Sequence, residues 1–226
     1  MHLALVTPSD PPAPRPVEAD DLAKMIAALP RFQHRPHRGV RRLRDRTDLW
    51  THPKIAATLV DCALELGDID LAARVVDHLD APSDLMVAQV RLAQGDAAAA
   101  LAVLTDPPKP AMARARYFGV KLRALVFTQD YAQALSTAHT WSCEALGAPV
   151  PYRTLARALA ETGDDRARDW FEYAVFATHG GTGARLDLAE HLIATGAPEE
   201  ARPHLIALTD TTGDAAKRRE RLLQAI

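Results

Sequence analysis

Five short breaks, recurring at near-constant spacing, constrain what this chain can fold into more than any other feature. They are ELGDID at 65–70, AQGDAA at 93–98, FTQDYA at 127–132, ETGDDR at 161–166 and ATGAPE at 194–199. Aligned on Gly67, Gly95, Gln129, Gly163 and Gly196, they step by 28, 34, 34 and 33 residues. A glycine in such a break takes φ > 0 without steric penalty and ends a helix, and the aspartate that usually follows suits the next N-cap. The punctuation predicts a run of helical hairpins. Alanine and leucine carry most of the apolar content and aromatics are only 5% of the chain, which favours closely packed helices over sheets.

A second periodic mark runs beside the first. Ala72, Ala100, Ala134, Ala167 and Ala201 recur at steps of 28, 34, 33 and 34, early in each second helix. Four residues later stand Val76, Leu104, Phe171 and Leu205, with Ala138 the small exception, and three beyond that Leu79, Trp141, Ala174 and Leu208. These spacings put one small and two larger residues on a single helical face. The helix–turn–helix unit of about 34 residues with A-x3-F-x2-A in its second helix resembles the tetratricopeptide repeat, and Ala167, Phe171 and Ala174 match best. The first-helix tryptophan, glycine and tyrosine of that family are mostly replaced, by residues such as Ala88, Ala156 and Ala189. The resemblance implies an all-α fold, a right-handed α-solenoid of about five hairpins over residues 53–212. It also implies that first helices line a concave, peptide-binding surface.

Four segments follow from these marks. Residues 1–19 are a proline-rich, flexible leader, and 20–52 a basic helical extension. The array occupies 53–212, with proline or glycine at joints such as Pro53, Pro82, Pro149 and Gly180–Gly181, and 213–226 form a capping helix. In the extension a helix is expected to start near Asp20 or Asp21, with Leu22, Met25, Ile26 and Leu29 on its apolar face. Pro30 and Pro36 are expected to interrupt it, before a helical stretch at 39–48 with Val40, Leu43 and Thr47 on one side. In the cap, Leu222, Leu223 and Ile226 are expected inward, and Lys217, Arg218, Arg219 and Arg221 toward water.

Chemistry-bearing patterns are sparse. Cys62 and Cys143 sit far apart in helical segments with no CxxC, which argues against a disulfide or zinc framework and for a reducing compartment. No signal-peptide core or run of about 18 apolar residues is present, so a cytoplasmic location and no membrane partner are expected. His139 and Cys143 are one turn apart, but no third group orients them as a nucleophile–base pair, and a buried structural cysteine is the simpler reading. The His179–Gly183 segment HGGTG lacks the partners of an oxyanion or phosphate loop and fits a joint. His34 and His37 lie among arginines, which disfavour a cation. The chain is therefore expected to be no enzyme, with no catalytic residue, cofactor or metal.

Charge supplies two candidate surfaces. Residues 31–46 hold seven arginines against Asp45 alone, a local excess of six positive charges in a chain of net −2. Arg35, Arg38, Arg41, Arg42 and Arg44 are the candidate phosphate contacts of a regulatory or nucleic-acid-associated protein. The leading reading is an adaptor or scaffold that binds another protein in the concave groove. Placed by distance from each break, Lys54, Gln89, Arg116, Arg123, Arg153 and Arg157 line that groove, and the arginines suit an acidic peptide. Trp50 near the N-terminal end is a candidate contact for a homodimer.

Overall fold

The computed structural model describes residues 19–144, 150–209 and 211–226. The leader and the Pro149 joint lie outside these residues. The described chain is helical with no strand: α1 (Ala19–Gln33), α2 (Pro36–Leu43), α3 (Thr47–Trp50), α4 (Pro53–Glu65), α5 (Ile69–Asp77), α6 (Asp84–Ala93), α7 (Ala97–Val103), α8 (Ala111–Phe127), α9 (Tyr131–Glu144), α10 (Val150–Glu161), α11 (Ala167–Ala177), α12 (Thr182–Ala194), α13 (Pro198–Ile206) and α14 (Gly213–Gln224). No helix among them is long and apolar enough to cross a membrane. Two compact units divide at Met86/Val87, inside α6. In the first, α1, α2 and α3 pack on α4, and α4 on α5. In the second, α8 packs on α9, α10 on α11 and α12 on α13, successive pairs touch through α8/α10 and α11/α12, and α14 closes on α12 and α13.

All five breaks end a helix in the same way. Gly67, Gly95, Gln129, Gly163 and Gly196 have φ of 73, 84, 62, 71 and 83°. The next residue's N–H reaches back five residues in each case: Asp68 to Ala63, Asp96 to Arg91, Asp130 to Leu125, Asp164 to Leu159 and Ala197 to Leu192, at 2.8–3.0 Å. The left-handed residue donates to the carbonyl three before it. This paired pattern is the Schellman motif. Asp68, Asp96 and Asp130 then cap the following helix through the N–H groups of Leu71, Ala99 and Gln133. Asp164 instead accepts from the Arg166 backbone and guanidinium, and at the fifth break Pro198 opens α13 without a side-chain cap.

Of the five breaks, only Gln129 holds the left-handed conformation with a Cβ. That strain costs about 1–2 kcal/mol, and glycine gives back about 0.4–1 kcal/mol through unfolded-state freedom. Gln129→Gly is therefore expected to stabilise the second unit by up to about 1 kcal/mol, read as a raised urea midpoint.

The second-helix alanines Ala72, Ala100, Ala134, Ala167 and Ala201 are all fully buried. Val76, Leu104, Ala138, Phe171 and Leu205, four residues on, are buried too. The small side chains let neighbouring helices approach, and the larger ones fill the space between them.

Several expectations are corrected. Pro30 does not interrupt α1, which runs through it to Gln33. The 39–48 stretch is not one helix: α2 begins at Pro36, the chain leaves it after Leu43, and Thr47 opens α3 exposed to solvent. Trp50 is buried and its indole N–H donates to the Leu43 carbonyl at 2.9 Å, so it offers no contact to a second copy. Cys143 is exposed rather than buried. In α14, Arg218 and Arg219 turn inward onto acceptors of α12 and α13. Leu222 is buried as expected.

Candidate functional site

Repeat spacing decides which first-helix residues meet. Arg153 on α10 and Asp187 on α12 are 34 residues apart, one unit length, so the hairpin stacking carries them together. Asp187 lies among Leu186, Leu188, Ala189 and Leu192, all buried, and its own side chain is 1% exposed. A carboxylate there requires charged partners. It has three. Arg153 Nε donates to Oδ2 at 2.6 Å, while Arg157 Nη2 and Arg218 Nη1 donate to Oδ1 at 2.7 and 2.9 Å. Burial alone pushes the Asp187 carboxyl up, but the hydrogen bonds and charges of Arg153 and Arg157 outweigh it and hold the carboxyl below its ordinary range.

Arg218 is shared, since its other terminal nitrogen donates to Glu190, which Arg221 also approaches at 3.7 Å. Burial opposes its charge, and Glu190 and Asp187 reverse that effect. Gly183 makes room for the cluster: a Cβ there would come within 2.8 Å of Arg153 Nη1. The HGGTG segment is accordingly a joint. His179 and Gly180 end α11 with positive φ, and the Gly180 carbonyl accepts from Arg185 Nε at 2.9 Å.

Beside the cluster opens a cavity of about 390 Å³. Ala160, Phe171 and Ala194 form its apolar part, and Arg157, Arg218, Glu161 and Glu190 its charged rim. His191 lines it against Phe171, ring centroids 5.0 Å apart, and burial together with Arg168 lowers its pKa, favouring the neutral imidazole.

Of the other residues expected in the groove, Arg123 reaches the cavity rim through Glu161, and none bonds to Asp187. Arg123 donates twice to Glu161, at 2.9 and 3.1 Å, in an exposed pair. Arg116 reaches Gln89 Oε1 at 3.4 Å. Lys54 is exposed on α4 in the first unit. Sequence reasoning found Arg153 and Arg157 but missed Asp187, Glu190 and Arg218. A carboxylate inside an apolar helical stripe, one repeat length from an arginine, was the available signal.

The chain matches no family model, and no curated protein and no solved structure matches it. What the molecule can do must be argued from its own geometry.

In the first unit, Arg44 pairs with Asp68 at 3.4 Å, and Arg46 with Asp48 at 2.9 Å. Arg35, Arg38, Arg41 and Arg42 are exposed and make no side-chain hydrogen bond or ion pair among the described residues. His139 Nδ1 lies 3.0 Å from the Tyr152 hydroxyl, so the histidine does have an orienting group, but it makes no hydrogen bond to Cys143. Among the described residues no group of three or more His, Cys, Asp or Glu side chains could hold a metal ion.

Proposed function

We propose that the chain is a non-catalytic interaction protein, a right-handed α-solenoid of about five tetratricopeptide-like hairpins that holds an acidic partner segment on its first-helix face. The repeated Schellman ends and buried second-helix alanines support the repeat architecture. The observation that carries the binding reading is the Asp187 cluster. Asp187 and, through Arg218, Glu190 offset two of the three clustered arginines and fix all of them in place, so part of their ordering entropy is already lost before a ligand arrives. Arg157 stays 52% exposed, with Nε and Nη1 making no hydrogen bond. That leaves the Nε and Nη1 hydrogens and the second Nη2 hydrogen for a ligand carboxylate, beside an apolar wall at Phe171.

Fluorescence anisotropy with labelled acidic octapeptides, and basic ones as controls, tests this. Acidic peptides are expected to bind in preference, and Arg157→Ala to weaken them about tenfold or more, the worth of one charged hydrogen bond. Arg153 and Arg218 keep Asp187 paired in that variant, so its melting curve should stay close to the parent's. Equal binding of acidic and basic peptides, or an Arg157→Ala affinity equal to wild type, would sink the reading.

A further inference from the structure

The arginines of the second unit bond to internal carboxylate, amide or carbonyl oxygens, whereas those of α2 do not. We infer that α2 and the end of α1 form a separate binding surface for the phosphate backbone of double-stranded nucleic acid. Arg35, Arg38 and Arg42 fall at i, i+3 and i+7 on one face, with Arg41 beside them and Arg31 at the end of α1. All five are exposed, and none makes a side-chain hydrogen bond or ion pair among the described residues. Among the described residues no acid forms an ion pair with them, Asp45 of the same segment included. Asp68 and Asp48 pair with Arg44 and Arg46, and Asp21 shares a small cavity with Arg42 without an ion pair to it.

The stripe is mounted firmly. Gly39, Val40 and Leu43 are buried on the opposite face of α2, which packs on α4 and α1. Gly39 permits that seat: a Cβ there would stand 2.9 Å from Cys62 Sγ and 3.0 Å from Phe32 Cβ. The mounting also selects the occupant. With Val40 and Leu43 turned into the protein, α2 has no apolar side left to enter a bilayer. Phe32, the one aromatic between 31 and 46, is half-buried, so there is no platform on which single-stranded bases could stack. An eight-residue helix is about 12 Å long, and about seven duplex phosphates fall within that length of axis. Three free guanidiniums, Arg38, Arg41 and Arg42, stand on that length, and Arg35 at its N-cap and Arg31 on α1 extend the patch. Nothing on the stripe reads base edges, so binding is independent of sequence.

The test is anisotropy of the full chain with a labelled 20-base-pair duplex DNA, the same duplex as RNA, a single strand, and phosphatidylserine-containing vesicles. Five contacts give a slope of about −4.5 in log K against log salt, a loss of about 500-fold between 50 and 200 mM. The combined Arg35→Gln, Arg38→Gln, Arg41→Gln, Arg42→Gln variant is expected to reduce the slope to about −1 and abolish measurable binding at 200 mM. Its melting curve should stay close to wild type, because none of the four side chains makes a hydrogen bond or ion pair among the described residues. The corresponding four Arg→Lys changes should preserve the slope. Arg157→Ala should leave duplex affinity unchanged, which separates this surface from the peptide site. Absence of duplex binding at 50 mM salt overturns the inference. So does a Gln variant that binds like wild type, or tighter binding to the single strand or to vesicles.

Discussion

Asp187→Ala is expected to destabilise the second unit by about 3–5 kcal/mol, as removing one partner of a buried ion pair does. The substitution leaves Arg153 and Arg157 without the carboxylate they share, and Arg218 with Glu190 alone. Arg157, 52% exposed, can turn to water and Arg218 keeps Glu190, but Arg153 is only 24% exposed and carries most of the penalty. The cluster also ties α10, α12 and α14 together, so the terminal helix should fray first. Urea unfolding followed by far-UV circular dichroism measures the loss. Asp187→Ala combined with Arg153→Met should recover part of it, since the second change removes the most committed stranded cation. A midpoint equal to wild type for Asp187→Ala alone would show that the cluster contributes nothing.

The same carboxylate sets an acid limit. Its pKa is depressed in the folded state, so its contribution is fully present above the unfolded aspartate value of about 3.9 and is lost as pH falls through the lower folded value. Between pH 7 and 5 the wild-type advantage over Asp187→Ala should stay constant, and below about pH 4 it should shrink.

Much of this was written in the sequence because local backbone chemistry decides it. A left-handed residue after a helix produces the same termination wherever it stands, so Gly67, Gly95, Gly163 and Gly196 located four helix ends, and the period located Gln129 as the fifth. Alanine at a fixed distance marked the tight helix contacts for the same reason. Side chains whose fate depends on a distant segment were harder. Trp50 is buried because Leu43 offers a carbonyl seven residues away, and Arg218 turns inward because Asp187 waits on α12. Pro30 lies within α1 because it removes only one N–H near the end of an otherwise intact helix. The arginines of the groove were visible as residues, but the acids that occupy them appear only when the 34-residue step is read as a contact rather than as a period.

Phe171 and Phe176 lie five residues apart on α11, and the fold gives them opposite surroundings. Phe171 holds the A-x3-F position between Ala167 and Ala174, is 3% exposed, and backs His191 and the cavity wall. Phe176 is 77% exposed, with its ring tilted against that of Tyr173, centroids 6.4 Å apart. Phe171→Ala removes a large side chain from a site whose neighbours are two alanines that cannot expand to fill it, so a loss of about 3–5 kcal/mol is expected. The adjoining cavity is open and admits water, which places the value toward the lower end of that range. Phe171→Leu, closer in volume, should cost under about 1.5 kcal/mol, and Phe176→Ala should fall within about 0.5 kcal/mol of wild type. Urea midpoints of the three variants order the positions directly. If Phe171→Ala and Phe176→Ala were equally mild, the repeat reading of α11 would be wrong, because the position that fills the space between hairpins would carry no packing energy. If Phe171→Ala alone is severe and also weakens acidic peptides beyond what Arg157→Ala does, the apolar wall and the arginine fork act on one ligand.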